Sequence, residues 1–331
     1  MTDRAQLVSA YVCRTVADCA ADRIVSVDGL AWGENNAVYG VAYRNREGDV
    51  DQVVVRLGPR DAAGRLRAGR EAAVLEKVGG VAGPRLYDFC ADDPGFGRPV
   101  MCLEFLRGDQ PDLSEVGPED LERLGCLVQW LHAQPVDDLD WAPADAGLPA
   151  YVRERWRDHL ASRLGAIRDP LSLRLQERLR AAVAVAAGAV EELERLSSLV
   201  DDPLALLHAD ISGKNLLWVP EPVLIDWEYA RLGDPADEVA YLFTQNALDE
   251  PRRAAFWRGY SQGPADEQVG GIAARVRCWE PITLLGSALW WLDAWSRAEA
   301  AAVGGHDEST PAQEPGYYLE QAVARLDRFF A

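Results

Sequence analysis

Strand-forming and helix-forming stretches are segregated along this chain, and that segregation restricts its possible folds more than any other feature. Valine- and tyrosine-rich runs cover residues 24–27, 37–43 and 52–57, the last reading Gln-Val-Val-Val-Arg-Leu. Each is followed by turn residues: Asp28-Gly29, Asn45-Arg46-Glu47-Gly48 and Gly58-Pro59. Such runs read as strands, and polar turns between them read as antiparallel hairpins. Two more strand candidates, 85–90 and 100–105, precede Gly108. Helical periodicity marks 5–20 and 62–78, the latter stopping at Gly79-Gly80. Beyond Gly108 it dominates, over 118–134, 150–165, 170–198 and most of the chain from 236 onward. In 118–134, Leu121, Leu124, Val128 and Leu131 share one face. A doubly wound sheet would interleave strands and helices, and this chain does not. The expected fold is α+β and bilobal. Residues 1–107 form a small antiparallel-sheet lobe with one helix packed into it, preceded by an N-terminal helix. Residues 108–331 form a large, mostly helical lobe. A ligand is expected in the cleft between lobes.

Composition narrows the environment. The formal charge is −19, with 34 Lys+Arg against 53 Asp+Glu. That balance disfavours nucleic acid and anionic membrane surfaces, and it tilts the choice of a small-molecule partner toward a cation. The six cysteines include no Cys-x-x-Cys pair and no histidine at metal-ligand spacing, which reads as reduced thiols in a cytoplasmic protein. No secretory signal and no uncharged run long enough to span a bilayer occurs, so no membrane association is expected.

The chemistry concentrates in 208–228. His208-Ala209-Asp210-Ile211-Ser212-Gly213-Lys214-Asn215 has the spacing H-x-D-x-x-x-x-N. Asp226 follows at the end of the apolar run Val223-Leu224-Ile225. Phosphoryl transfer needs a carboxylate to orient the attacking hydroxyl and accept its proton, and Asp210 fits that role. It also needs hard oxygen ligands for Mg²⁺, and Asn215 and Asp226 supply them. His208 is read as a structural residue of the loop.

This segment resembles the Brenner motif of the aminoglycoside phosphotransferase and choline kinase family, whose members share the protein-kinase-like fold. The resemblance extends through Gly233-Asp234-Pro235-Ala236-Asp237-Glu238-Val239-Ala240, where Glu238 replaces a common Asp, and upstream through Arg70-Glu71-Ala72 and 97–108. It implies ATP or GTP as phosphoryl donor. It places the lobe connector at Glu104–Gly108, with the backbone around Glu104 and Leu106 binding the purine and Leu103 at the back of the pocket. A strand cation should grip the phosphates. Lys77 lies in a helix and Lys214 in the catalytic loop, and they are the only lysines. Arg56 therefore takes the strand position, with Glu71 as its favoured partner and Glu76 as an alternative. Asn35 and Asn36, in the turn after Gly33, could cover the phosphates.

The acceptor is the open end of this reading. Trp291 and Trp295 share a helix face near Glu280 and Asp293, an arrangement that fits a cation cage or plain core packing. The family resemblance implies an antibiotic acceptor such as an aminoglycoside, as in resistance enzymes. Its alternatives are choline, ethanolamine or another metabolite, or a catalytically silent nucleotide-binding regulator. A monomer and a homodimer fit equally well.

Overall fold

The computed structural model describes residues 2–16, 21–32, 37–139, 147–166, 171–200, 202–263, 266–304 and 313–330. It divides into two compact units, Met1–Pro111 with Gly213–Ala230, and Asp112–Ser212 with Arg231–Ala331.

The first unit opens with α1 (Thr2–Thr15) and the strands β1 (Ile24–Trp32), β2 (Ala37–Arg44) and β3 (Val50–Leu57). Helix α2 (Ala62–Val78) and strands β4 (Leu86–Asp93) and β5 (Arg98–Glu104) follow. The strands form one antiparallel sheet in the order β1-β2-β3-β5-β4. Alternation along the strands separates its two faces. Tyr39, Val41, Val53, Val55, Leu57, Val100 and Cys102 cluster with Val8, Tyr11 and Val12 of α1. Two polar contacts anchor α1 to β4: Tyr11 donates to Asp88 at 2.5 Å, and Arg14 pairs with Asp93 at 2.7 Å. Arg56 falls at an even position of β3, opposite Met101 of β5, so the pleat turns it away from α1. Helix α2 starts at Asp61, whose side chain caps Gly64 N–H, and it buries Ala68, Glu71, Ala72 and Leu75.

The turn expected at Asp28-Gly29 does not form. Strand β1 runs through it, with Asp28 opposite Gly40 and Gly29 opposite Tyr39, and the glycine is absorbed in a bulge between Gly29 and Ala31.

The second unit begins with α3 (Pro118–His132), α4 (Leu148–Ala166), α5 (Leu173–Ser197) and β6 (Ala205–Leu207). The chain then contributes the hairpin β7 (Leu216–Val219) and β8 (Glu221–Leu224) to the first unit. Back in the second unit come β9 (Arg231–Gly233), α6 (Pro235–Gln245), α7 (Glu250–Tyr260), α8 (Asp266–Gly304) and α9 (Pro315–Phe329). Strands β6 and β9 pair antiparallel, with Leu207 opposite Arg231.

Assigning 213–230 to the first unit corrects the simple division after residue 107. Leu224 N–H donates to the Ala82 carbonyl at 2.8 Å, and Trp227, 1% exposed, packs under Gly83. The connector is held to the same hairpin, since Trp218 N–H donates to the Asp109 carbonyl at 3.0 Å. Gly108 is required there: a Cβ would lie 2.4 Å from the Trp218 carbonyl oxygen. Among the described residues no helix is long and apolar enough to cross a membrane.

Candidate active site

In the first unit the site is built around Arg56. Its guanidinium hydrogen-bonds the Glu71 carboxylate and stands 3.1 Å from Asp226 Oδ1 and 3.8 Å from Glu228 Oε2. Arg56 and Glu71 are buried, whereas the Asp226 side chain is 42% exposed. The partner is therefore Glu71 and not Glu76. Burial opposes the charge on Arg56, but Glu71, Asp226 and Glu228 together outweigh it and hold the guanidinium charged. Burial pushes the Glu71 carboxyl up to about 7, against the pull of Arg56. One guanidinium thus faces three carboxylates.

Asn215 and Asp226 approach each other through the β7–β8 hairpin. Leu216 pairs with Leu224, and Ile225 N–H donates to the Asn215 carbonyl at 2.9 Å. Asp226 itself has φ 64° and ψ 68°, a left-handed backbone that carbon-branched residues avoid and Asp tolerates. Among the described residues no cluster of three or more His, Cys, Asp or Glu could hold a metal alone. An ion at Asn215 and Asp226 would need oxygens from a ligand as well.

At the connector, Glu104 N–H donates to the Arg85 carbonyl at 2.9 Å, and its carboxylate accepts from Arg85 N–H at 3.1 Å. What Glu104 can offer a ligand is its carbonyl. Leu106 follows in an irregular stretch between β5 and the Asp109 bridge. Asn35 and Asn36 lie outside the described residues.

Asp210 belongs to the second unit, and its loop leaves β6 through a strained residue. Ala209 has φ 69°, at a cost of about 1–2 kcal/mol for a residue with a Cβ. The buried Glu238 carboxylate accepts Ala209 N–H at 2.6 Å. A hydrogen bond to a charged group contributes about 1.5–3 kcal/mol, enough to offset that strain. Glu238 is itself bound to His132 at 2.9 Å, whose other ring nitrogen contacts the Tyr260 hydroxyl at 2.7 Å. The Glu that replaces the usual Asp thus ties the loop to α3 and α7. His208 also serves the loop, accepting Asp210 N–H at 3.3 Å on Nδ1. Asn246 Nδ2 donates to the Ile211 carbonyl at 3.2 Å. Most directly, the Tyr241 hydroxyl donates to Asp210 Oδ1 at 2.5 Å.

Sequence reasoning missed Tyr241, His132 and Glu228. Glu228 stood two residues after Asp226 in Ile-Asp-Trp-Glu, where a second carboxylate could have been read. Tyr241 sits about one helical turn after Glu238, so the same face of α6 serves the loop twice. His132 carried no local signal.

The proposed acceptor residues have other partners. Glu280 pairs with Arg253 at 2.6 Å, and Asp293 with Arg297 at 3.4 Å. Trp295 donates to Glu299 at 3.2 Å. Trp291 packs α8 against α9, with ring centroids 5.9 Å from Tyr317 and 6.0 Å from Tyr318. The Arg325 guanidinium lies 5.2 Å from the Trp291 centroid. The stripe is interhelical packing, and the cation over Trp291 is the chain's own.

A five-stranded sheet with a buried strand–helix ion pair, a second unit that is mostly helical, and the H-x-D-x-x-x-x-N spacing over 208–215 define a protein-kinase-like phosphotransferase. The chain belongs to the phosphotransferase enzyme family, whose model matches residues 26–272. No curated protein sequence matches it. Among solved structures it is similar to an ethanolamine kinase of Plasmodium vivax, with TM-score 0.64 and 14% identity over 98% of this chain and 87% of that one. It is also similar to a spectinomycin phosphotransferase in complex with ADP and spectinomycin, with TM-score 0.63 and 12% identity over 98% of both chains. A choline/ethanolamine kinase family protein from Mesorhizobium loti gives TM-score 0.57 and 17% identity over 98% and 95%. At these identities the likeness is one of fold.

Proposed function

We propose that this protein transfers the γ-phosphoryl group of ATP or GTP to a hydroxyl of a small molecule. The observation that carries this reading is the Arg56 cluster, a buried guanidinium fixed by Glu71 and facing Asp226, on the hairpin that also brings Asn215 alongside. Arginine suits phosphate because its planar fork grips two oxygens at once and does not deprotonate.

Three carboxylates against one guanidinium leave negative charge over, and Asp226 Oδ1 is buried without a hydrogen bond among the described residues. That donor set suits Mg²⁺, which takes one or two protein oxygens and completes its shell with water and phosphate. Asn215 and Asp226 would hold it, and bound there it would neutralise charge on the transferring phosphoryl group. Glu71 keeps Arg56 directed at the phosphates. The Glu104 carbonyl and Leu106 N–H would bind the purine. Asp210, oriented by Tyr241, would accept a hydrogen bond from the attacking hydroxyl and take its proton. The antibiotic acceptor expected from the resemblance stays within this reading. A choline-type cage gains no support from Trp291, whose face Arg325 covers.

The test follows nucleotide consumption with MgATP and MgGTP over an acceptor panel. Asp210→Asn should cut turnover by roughly 10²–10⁴, about 3–5 kcal/mol of barrier, with nucleotide affinity retained. Asp226→Ala should weaken binding of the magnesium–nucleotide complex in calorimetry. Turnover within a few-fold of the parent in Asp210→Asn, or full binding by Asp226→Ala, would remove those residues from their roles.

A further inference from the structure

The second unit contains its own surplus of charge, opposite in sign to the one around Arg56. Tyr151 and Arg155 sit about one turn apart on α4 and share a face. Arg231 opens β9, and Asp237 lies in the first turn of α6. The Tyr151 hydroxyl, Arg155 Nε and Arg231 Nη2 all donate to Asp237 Oδ2, at 2.6, 3.2 and 3.0 Å. Arg231 Nε also donates to the Tyr151 hydroxyl at 3.2 Å. Two guanidiniums thus converge on one oxygen of one carboxylate, and among the described residues neither pairs with another acid. The buried Arg275 of the same unit is answered the other way, by both Asp202 and Asp234.

The network is fixed on one side and open on the other. Asp237 is 1% exposed, and Tyr151 is buried. A Cβ at Gly233 would stand 2.6 Å from the Tyr151 hydroxyl, so glycine there lets that hydroxyl reach Asp237 and Arg231. These contacts use Arg155 Nε and the Nε and Nη2 of Arg231. Arg155 Nη1 and Nη2 and Arg231 Nη1 carry no hydrogen bond among the described residues, and none of the three is buried. The two side chains keep 19% and 26% exposure. Nitrogens that touch a single oxygen lie close together, so the free donors of both forks can meet at one small anion. Burial opposes the charge on each. Tyr151 and Asp237 outweigh it at Arg231, whereas at Arg155 the neighbouring Arg231 adds to it and Asp237 does not make up the difference.

We propose that Arg155 and Arg231 form a binding site for a phosphate group, with Asp237 and Tyr151 holding the two guanidiniums in place. An incoming phosphate neutralises the surplus positive charge. Its tetrahedral oxygens accept from two forks on separate elements, whereas a planar carboxylate is served by one. Donors already fixed by Asp237 and Tyr151 lose little freedom when the anion arrives. The site goes beyond the phosphotransferase reading and does not depend on it.

The test is calorimetric titration with inorganic phosphate and with glycerol 3-phosphate, before and after saturation with magnesium and a non-hydrolysable ATP analogue. At least one probe should bind the parent, and the two arms separate free phosphate from a phosphate monoester. Binding should persist with the analogue bound, since the analogue's phosphates occupy the Arg56 side. Arg155→Gln should weaken the probe by roughly ten- to a hundredfold, and Arg155→Lys should recover part of the loss. Phosphate should raise the thermal midpoint of the parent and leave that of Arg155→Gln unchanged. Arg155→Gln leaves Asp237 bound to Arg231 and Tyr151, and circular dichroism reports that it is folded. Arg231→Gln should lose the probe as well. If that variant does not fold, the two Arg155 variants decide. Neither probe binding the parent, undiminished affinity in Arg155→Gln, or binding that disappears once the analogue is bound would each overturn the proposal. Failure of the analogue to bind a parent that still holds phosphate would count against the phosphotransferase reading alone.

Discussion

Two buried arginines, one in each unit, face carboxylates in opposite styles. Arg275 is closed off. Its Nε and Nη2 bind the two oxygens of Asp234 at 3.0 and 3.1 Å, and its Nη1 meets Asp202 at 3.1 Å. The same Asp234 oxygens accept Ala236 N–H at 3.0 Å, capping α6, and the Trp279 indole N–H at 2.9 Å. Arg275 is 1% exposed and Asp234 fully buried. Arg56 is left open, facing three carboxylates, one of them substantially exposed on a left-handed residue. A network with every lone pair engaged holds elements together. A network with surplus charge and an accessible member has room for a ligand. Although Asp234 belongs to the most recognisable motif downstream of the catalytic loop, its geometry marks it as structural.

The largest test of that contrast is Arg275→Ala. Leaving Asp234 buried without its partner should cost about 3–5 kcal/mol of stability, read from denaturant unfolding. Loss of magnesium–nucleotide binding in a variant of unchanged stability would reverse the assignment.

Tyr241→Phe comes next. It removes a donor to a charged carboxylate without changing the ring, so turnover should fall roughly ten- to a hundredfold, about 1.5–3 kcal/mol. The Michaelis constant for nucleotide should hold. A matched change in both constants would mean that Tyr241 acts through folding.

The smallest effect sharpens the open side. In an Arg56→Ala, Glu71→Gln cycle, nucleotide binding should be coupled by about 0.5–3 kcal/mol. Additivity would deny that the pair acts as a unit. Glu71 also predicts a pH slope in the metal- and nucleotide-free protein. Its folded-state pKa is raised to about 7, so between the ordinary carboxylate range and about pH 7 the folded state keeps a proton that the unfolded chain has released. Stability should therefore fall as pH rises through that window and level off above it. In Glu71→Gln that part of the slope should vanish.

The segregated layout and the antiparallel sheet were legible in the sequence because valine-rich runs and polar turns are local signals. The helices were legible for the same reason, their ends shifting by a few residues. The Arg56–Glu71 pair was legible only with the resemblance, since nothing in residues 52–78 alone separates Glu71 from Glu76. The tryptophan stripe could be read as cage or core, because helical spacing gives a shared face without saying what covers it. The structure covers it with Tyr317, Tyr318 and Arg325 of α9.

By itself the sequence determined which stretches become strand or helix and placed Asp210, Asn215 and Asp226 at a diagnostic spacing. Those are properties of residues a few positions apart, where backbone geometry fixes the relation. Only the tertiary structure put 213–230 with the sheet unit, set Tyr241 on Asp210, joined His132 to Glu238 and laid Arg325 over Trp291. Those relations span tens of residues or more. They depend on which helix faces pack together, and no local periodicity encodes that.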